Sequence, residues 1–142
     1  MTSESVKQVG DRKARLRLAY LASKERFPQV SFDLFCRLFL FWEILPIIRK
    51  GLYIGVVFQK EDEVHIAILP DYRKKWAGKW LGPLIKSCMK NGVVYTQVPL
   101  GDKVRLQLAK RLGWRILESQ GKAIKLIMTM EDYNNVWNKI KT

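Results

Sequence analysis

Apolar positions along the chain change period several times, and the changes divide it into elements. Lys7 to Arg26 carries a broad apolar face (Val6, Val9, Leu16, Leu18, Tyr20, Leu21) among basic residues, which predicts an amphipathic helix. Gly10 weakens its first turns, and Pro28 ends it or precedes the next element. Ser31 or Asp33 then caps a second helix over Leu34 to Phe41, whose nearly continuous apolar run predicts burial. From Glu43 the period shortens toward two. Glu43 to Arg49, interrupted by Pro46, Leu52 to Gln59 and Glu63 to Leu69 read as strands, the last two joined through a Lys60-Glu61-Asp62 hairpin turn. In Glu63 to Leu69, Val64, Ile66 and Ile68 share one face and Glu63, His65 and Ala67 the other.

Helical spacing returns over Trp76 to Lys90 and stops at Asn91-Gly92. A strand over Val93 to Val98 and a helix from Gly101-Asp102 to Gly113 follow. Trp114 to Ser119 and Ala123 to Met130 form a last hairpin around Gln120-Gly121-Lys122, and Asp132 to Lys141 makes a short terminal helix. The predicted order is α-α-β-β-β-α-β-α-β-β with that final helix. At 142 residues this is one domain, long enough to bury roughly 70% of its unfolded surface.

Charge changes the picture: 26 Lys+Arg against 13 Asp+Glu give +13, a balance that favours anionic partners, including nucleic acid. The arginines and lysines of the first helix, with Arg49, Lys50, Lys103, Arg105, Lys110, Arg111 and Arg115, supply either a phosphate-binding surface or a scattered solvated shell. Two cysteines and one histidine make neither a disulfide framework nor a zinc set, so no metal is expected. Cys36 and Cys88 read as reduced thiols of a cytoplasmic protein. The polar, basic N-terminus is no signal peptide, and Leu38 to Leu45 is too short to span a bilayer.

The most specific chemistry lies in Ala67-Ile68-Leu69-Pro70-Asp71-Tyr72-Arg73-Lys74-Lys75-Trp76-Ala77-Gly78. A strand, a basic turn and a helix start follow one another there. Unpaired helix N–H groups and the helix dipole favour an anion at that junction, and Arg73, Lys74 and Lys75 add full charges.

This segment resembles the central motif of the GNAT acyltransferase family, a small residue, Val, a hydrophobic residue and Pro, then two residues and Arg-x-x-Gly-x-Gly/Ala. Ala67, Ile68, Leu69, Pro70, Tyr72, Arg73 and Gly78 stand in register with it, and Leu112-Gly113-Trp114 resembles the family's later Gly-Phe pair. The resemblance spans roughly residues 30–128. The segment from His65 to Arg73 also resembles small phage-encoded members, which would place the protein in a host cytoplasm.

The resemblance implies an α+β fold, a central, mostly antiparallel mixed sheet flanked by helices. It implies acetyl-CoA or another acyl-CoA as cofactor and an amine as acceptor. Pantetheine would lie along the outer backbone groups of Ile66 and Ile68, a thioester carbonyl would meet an N–H near Ile68, and phosphates would meet Arg73, Lys74, Lys75, Ala77 and Gly78. His65 stands where the family often has a catalytic glutamate. An unperturbed imidazole titrates near pH ~6.5 and suits a base, with Glu63 one pleat away as its orienting partner or as the base itself. Tyr95 and Thr96 are the acceptor-side candidates. Trp76 replaces the loop's first glycine, Ala109 the usual tyrosine and Asp102 the usual asparagine. Two alternatives follow from these features: a non-catalytic binding or virion protein, and a phage-type enzyme that modifies adenine in DNA.

Overall fold

The computed structural model describes residues 11–73 and 78–141. Its elements are α1 (Arg12–Ser23), a 3-10 turn (Lys24–Arg26), α2 (Phe32–Leu38), β1 (Glu43–Arg49), β2 (Leu52–Lys60) and β3 (Glu63–Ile68). A second 3-10 turn (Pro70–Tyr72), α3 (Gly78–Cys88), β4 (Val93–Pro99), α4 (Lys103–Arg111), β5 (Arg115–Gln120), β6 (Ala123–Thr129) and α5 (Met130–Lys141) complete the chain. The predicted order of elements is the observed one. The six strands run β1-β2-β3-β4-β6-β5 in a mixed sheet. The described residues fall into two compact units, 11–60 with 66–73 and 78–80, and 61–65 with 81–141, so β3 contributes to both.

In the first unit, β1 and β2 pair antiparallel from Glu43↔Gln59 to Arg49↔Leu52, and the register slips between Ile47 and Ile48. Lys50 (φ 51°) and Gly51 (φ 80°) turn the hairpin, and two left-handed residues match the twist of the flanking strands. Its core joins Leu16, Ala19 and Ala22 of α1 to Phe35, Ile44, Val56, Phe58 and Ala67. Phe35 is the aromatic hub, with Tyr20, Phe27, Phe39 and Phe58 rings at 4.6–6.3 Å.

The basic helix is partly internal glue. Arg12 donates to the carbonyls of Trp42 (2.8 Å), Phe39 (2.8 Å) and Leu40 (3.0 Å) beyond the end of α2, and Arg15 Nη1 donates to Ile44 O at 3.1 Å. The buried α2 expected from its composition is corrected. Ser31 caps it by accepting from the Leu34 N–H, so the helix runs earlier and ends at Leu38. Only Phe35 within it is fully buried; Leu34, Leu38, Leu40 and Phe41 are exposed, Phe41 by 80%. Seven residues make two turns, and one face of two turns cannot bury every residue of an apolar run.

In the second unit, β4 and β6 pair antiparallel from Val93↔Thr129 to Pro99↔Ala123, and β5 pairs with β6 with a slip between Ile116 and Glu118. Asp102 caps α4 through the Arg105 N–H at 3.1 Å. The last helix starts two residues before the predicted Asp132, for a local reason. Thr129 N and Oγ1 donate to Asp132 Oδ2 (2.9 and 3.0 Å), while Asp132 N donates back to Thr129 Oγ1 (3.2 Å), a reciprocal capping box. Trp137 of α5 stacks on Tyr133 and seats its indole against Gly82 of α3, where a Cβ would lie 2.6 Å from the ring.

Two expectations follow. A Cβ at Gly55 of β2 would sit 2.3 Å from the Ala67 carbonyl oxygen and 2.9 Å from Ile68 Cα, both backbone atoms. Gly55→Ala should cost at least about 2 kcal/mol in urea unfolding, because β2 and β3 must separate to admit it. For Asp132, burial works to raise the pKa, but hydrogen bonds from Arg115 and Thr129 and the Arg115 charge outweigh it and hold the value below the usual carboxylate range. A lowered folded value gives stability that is present above the unfolded pKa near ~4 and lost as pH falls through the folded one. Asp132→Ala should therefore cost about 1 kcal/mol at neutral pH, and the gap to the native protein should close below pH ~4.

Candidate functional site

β3 supplies most of the candidate residues. Alternation sends Glu63 and His65 to the same face, and the His65 Nε2 and Glu63 Oε2 atoms meet at 2.5 Å. The imidazole is 25% exposed and the carboxylate 42%, so the pair is reachable from solvent. Glu63 is also the register partner of Tyr95 on the parallel strand β4, anchored by Tyr95 N donating to Asp62 O at 2.8 Å. Tyr95 thus shares a face with the pair. Its neighbour Thr96 pairs with the fully buried Leu126 and takes the opposite face. The structure gathers Glu63, His65 and Tyr95 and leaves Thr96 apart from them.

The other end of β3, in the first unit, is tied by arginines. Leu69 N donates to Ile54 O at 2.8 Å, holding this end to β2. The Ile66 carbonyl accepts from Arg26 Nη2 at 3.5 Å and the Ile68 carbonyl from Arg73 Nε at 3.0 Å. Arg73 then spends the rest of its guanidinium on the helical segment before it. Its Nη1 meets both Glu25 oxygens at 2.8 Å, and its Nη2 donates to Ala22 O at 3.2 Å. A planar fork with several fixed N–H directions suits three acceptors on two segments at once. Arg73 therefore faces protein carbonyls and a carboxylate in this structure, while its backbone closes the Pro70–Tyr72 turn by donating to Pro70 O at 3.4 Å.

Lys74, Lys75, Trp76 and Ala77 lie outside the described residues. Gly78 is the first residue of α3, and the first turn of that helix holds no acidic residue. A helix first turn without acidic residues, in a chain of charge +13, favours an anion. The expected basic surface is thinned by internal pairing: Arg12 and Arg15 hold backbone carbonyls, Arg17 lies 4.7 Å over the Phe32 ring, and Arg105 and Arg115 pair with Asp102 and Asp132.

Three features escaped the sequence pattern. The Glu25 and Ala22 partners of Arg73 come from a helix far away in the chain, with no local signal. The Thr129-x-x-Asp132 capping box was legible as a spacing rule for helix starts. Lys125, whose Nζ lies 5.1 Å from the Tyr95 ring centroid, reads from sequence as an ordinary strand-surface lysine.

No protein-family model and no curated protein sequence matches the chain. Solved structures do. The spermidine N-acetyltransferase of Vibrio cholerae in complex with CoA and spermine is 15% identical, aligned over 87% of this chain and 94% of its own, with a TM-score of 0.66. The PaiA N-acetyltransferase of Thermoplasma acidophilum in complex with coenzyme A is 13% identical over 91% and 95%, with a TM-score of 0.57. The ribosomal-protein-S18-alanine N-acetyltransferase of Escherichia coli is 18% identical over 84% and 90%, with a TM-score of 0.59. No helix among the described residues is long and apolar enough to cross a membrane. With its mixed six-stranded sheet, its order of elements and these neighbours, the chain has the GNAT acyl-CoA N-acyltransferase fold.

Proposed function

We propose that the chain is a single-domain, acyl-CoA-dependent N-acyltransferase. The observation that carries this reading is the His65–Glu63 pair on β3 of a GNAT fold, the strand that leads in the chain into the Pro70–Tyr72 turn and the start of α3. Neighbours solved with CoA support the cofactor class, and neighbours named for amine acceptors support the reaction class.

The residues divide the work as follows. Backbone N–H groups from Ala77 and Gly78, with Lys74 and Lys75, hold the phosphates, and Ile66 and Ile68 offer backbone groups to the pantetheine arm. Arg73 sets where the loop begins by fixing the end of β3 to the Ala22–Glu25 segment. Acyl-CoA would supply a thioester, its acyl carbon passing to the acceptor nitrogen while CoA leaves as a thiolate that takes its proton from solvent. His65 Nε2 takes the proton that the attacking amine gives up, directly or through a water. Glu63 orients the imidazole and balances the positive charge it gains.

Calorimetry with acetyl-CoA tests the reading directly: saturable heat is expected, and none at millimolar ligand would refute it. His65→Ala should cut acetyl transfer by about 10²–10⁴-fold while leaving CoA affinity unchanged, and Glu63→Gln should cut it less. Arg73→Lys should lower stability by about 1–2 kcal/mol in urea, because an ammonium cannot span the same acceptors, and should weaken CoA binding in parallel.

A further inference from the structure

The sheet of the second unit carries an ordered row of polar groups on one face. Glu63 and His65 stand on β3. Tyr95, the register partner of Glu63, stands on β4. On β6, Ile127 pairs with Tyr95 and Lys125 pairs with Gln97, which places Lys125 on the same face as Tyr95. The ring contact agrees, with the ammonium 5.1 Å from the Tyr95 centroid. Across three strands the face therefore presents an imidazole–carboxylate pair, a phenol ring and an ammonium, with about 10 Å between the outer strands.

Among the described residues the Lys125 ammonium makes no ion pair. Glu118 of β5 is the register partner of Lys125, yet the ion pairs of the described residues include neither group. On β3, the Glu63 carboxylate is engaged by His65. A polyamine acceptor would thus meet a cation where it needs an anion, in a protein whose net charge of +13 repels polycations at long range. An acceptor with an anionic tail meets the opposite field at both scales.

Resting on the acyltransferase reading, we propose that the acceptor is an amine with a carboxylate or phosphate at its far end. Lys125, braced on Tyr95, holds that anion while the amino group reaches His65. This departs from the acceptor named for the Vibrio cholerae spermidine enzyme, whose fold the chain shares.

A matched set of hexyl amines tests it: aminohexanoate, aminohexyl phosphate, hexylamine and diaminohexane differ only at the far end. Thiol release from acetyl-CoA should show kcat/KM falling from the anionic pair through hexylamine to diaminohexane, by about three- to five-fold per step. The carboxylate and phosphate arms show which anion is preferred. Lys125→Gln should flatten the order and Lys125→Glu should invert it, with KM carrying the change. Amide NMR shifts at Tyr95 and Lys125, measured on the cofactor-free protein, should follow the same order of binding. A charge-blind order, a preference for diaminohexane, or an order that survives Lys125→Gln would overturn the proposal. Absence of CoA heat together with charge-ordered NMR shifts would instead refute the acyltransferase reading and leave the anion subsite standing.

Discussion

The six residues of β3 belong to two cores at once, and this constraint shapes the rest. Val64 is fully buried in the second unit, and Ala67 is packed under α1 and α2 in the first. The strand cannot slide by one residue without exposing both, since a one-residue slip turns every side chain to the other face. Gly55 tightens the constraint by admitting the Ala67 carbonyl at a distance that leaves no room for a Cβ. The register of β3 is thereby fixed at both ends, and the direction of His65 and Glu63 is fixed with it. An imidazole and a carboxylate on such a strand gain their common face from its register.

Much of this was legible in the sequence because it is local. The two-residue period of Glu63 to Leu69 places His65 and Glu63 on one face before any coordinates are known, and a strand followed by Pro70 and a basic turn announces the junction with α3. The order of helices and strands follows from the same periodicities. Burial was less legible. The apolar run of Leu34 to Phe41 reads as a buried helix, but the Ser31 cap starts the helix early, and Leu40 and Phe41 fall in the turn beyond it.

Partners distant in sequence were not legible at all. Arg73 has the look of a phosphate ligand, and its fork around Glu25 and Ala22 depends on how α1 ends and where β3 stops. The charge of the first helix likewise reads as a surface property, whereas Arg12 holds carbonyls after α2 and Arg15 the Ile44 carbonyl of β1. Net charge gives the field around a protein, but which cations remain available to a ligand depends on the fold.

Pro46 in β1 and the slip in β5 have a bearing on solubility. Among the described strands, β1 and β5 each pair on one side only. Proline removes a donor from the first strand, and the irregularity between Ile116 and Glu118 breaks the spacing of the second. Both irregularities work against edge-to-edge pairing in a molecule that shows water Phe41, Leu40, Ile116 and Leu117.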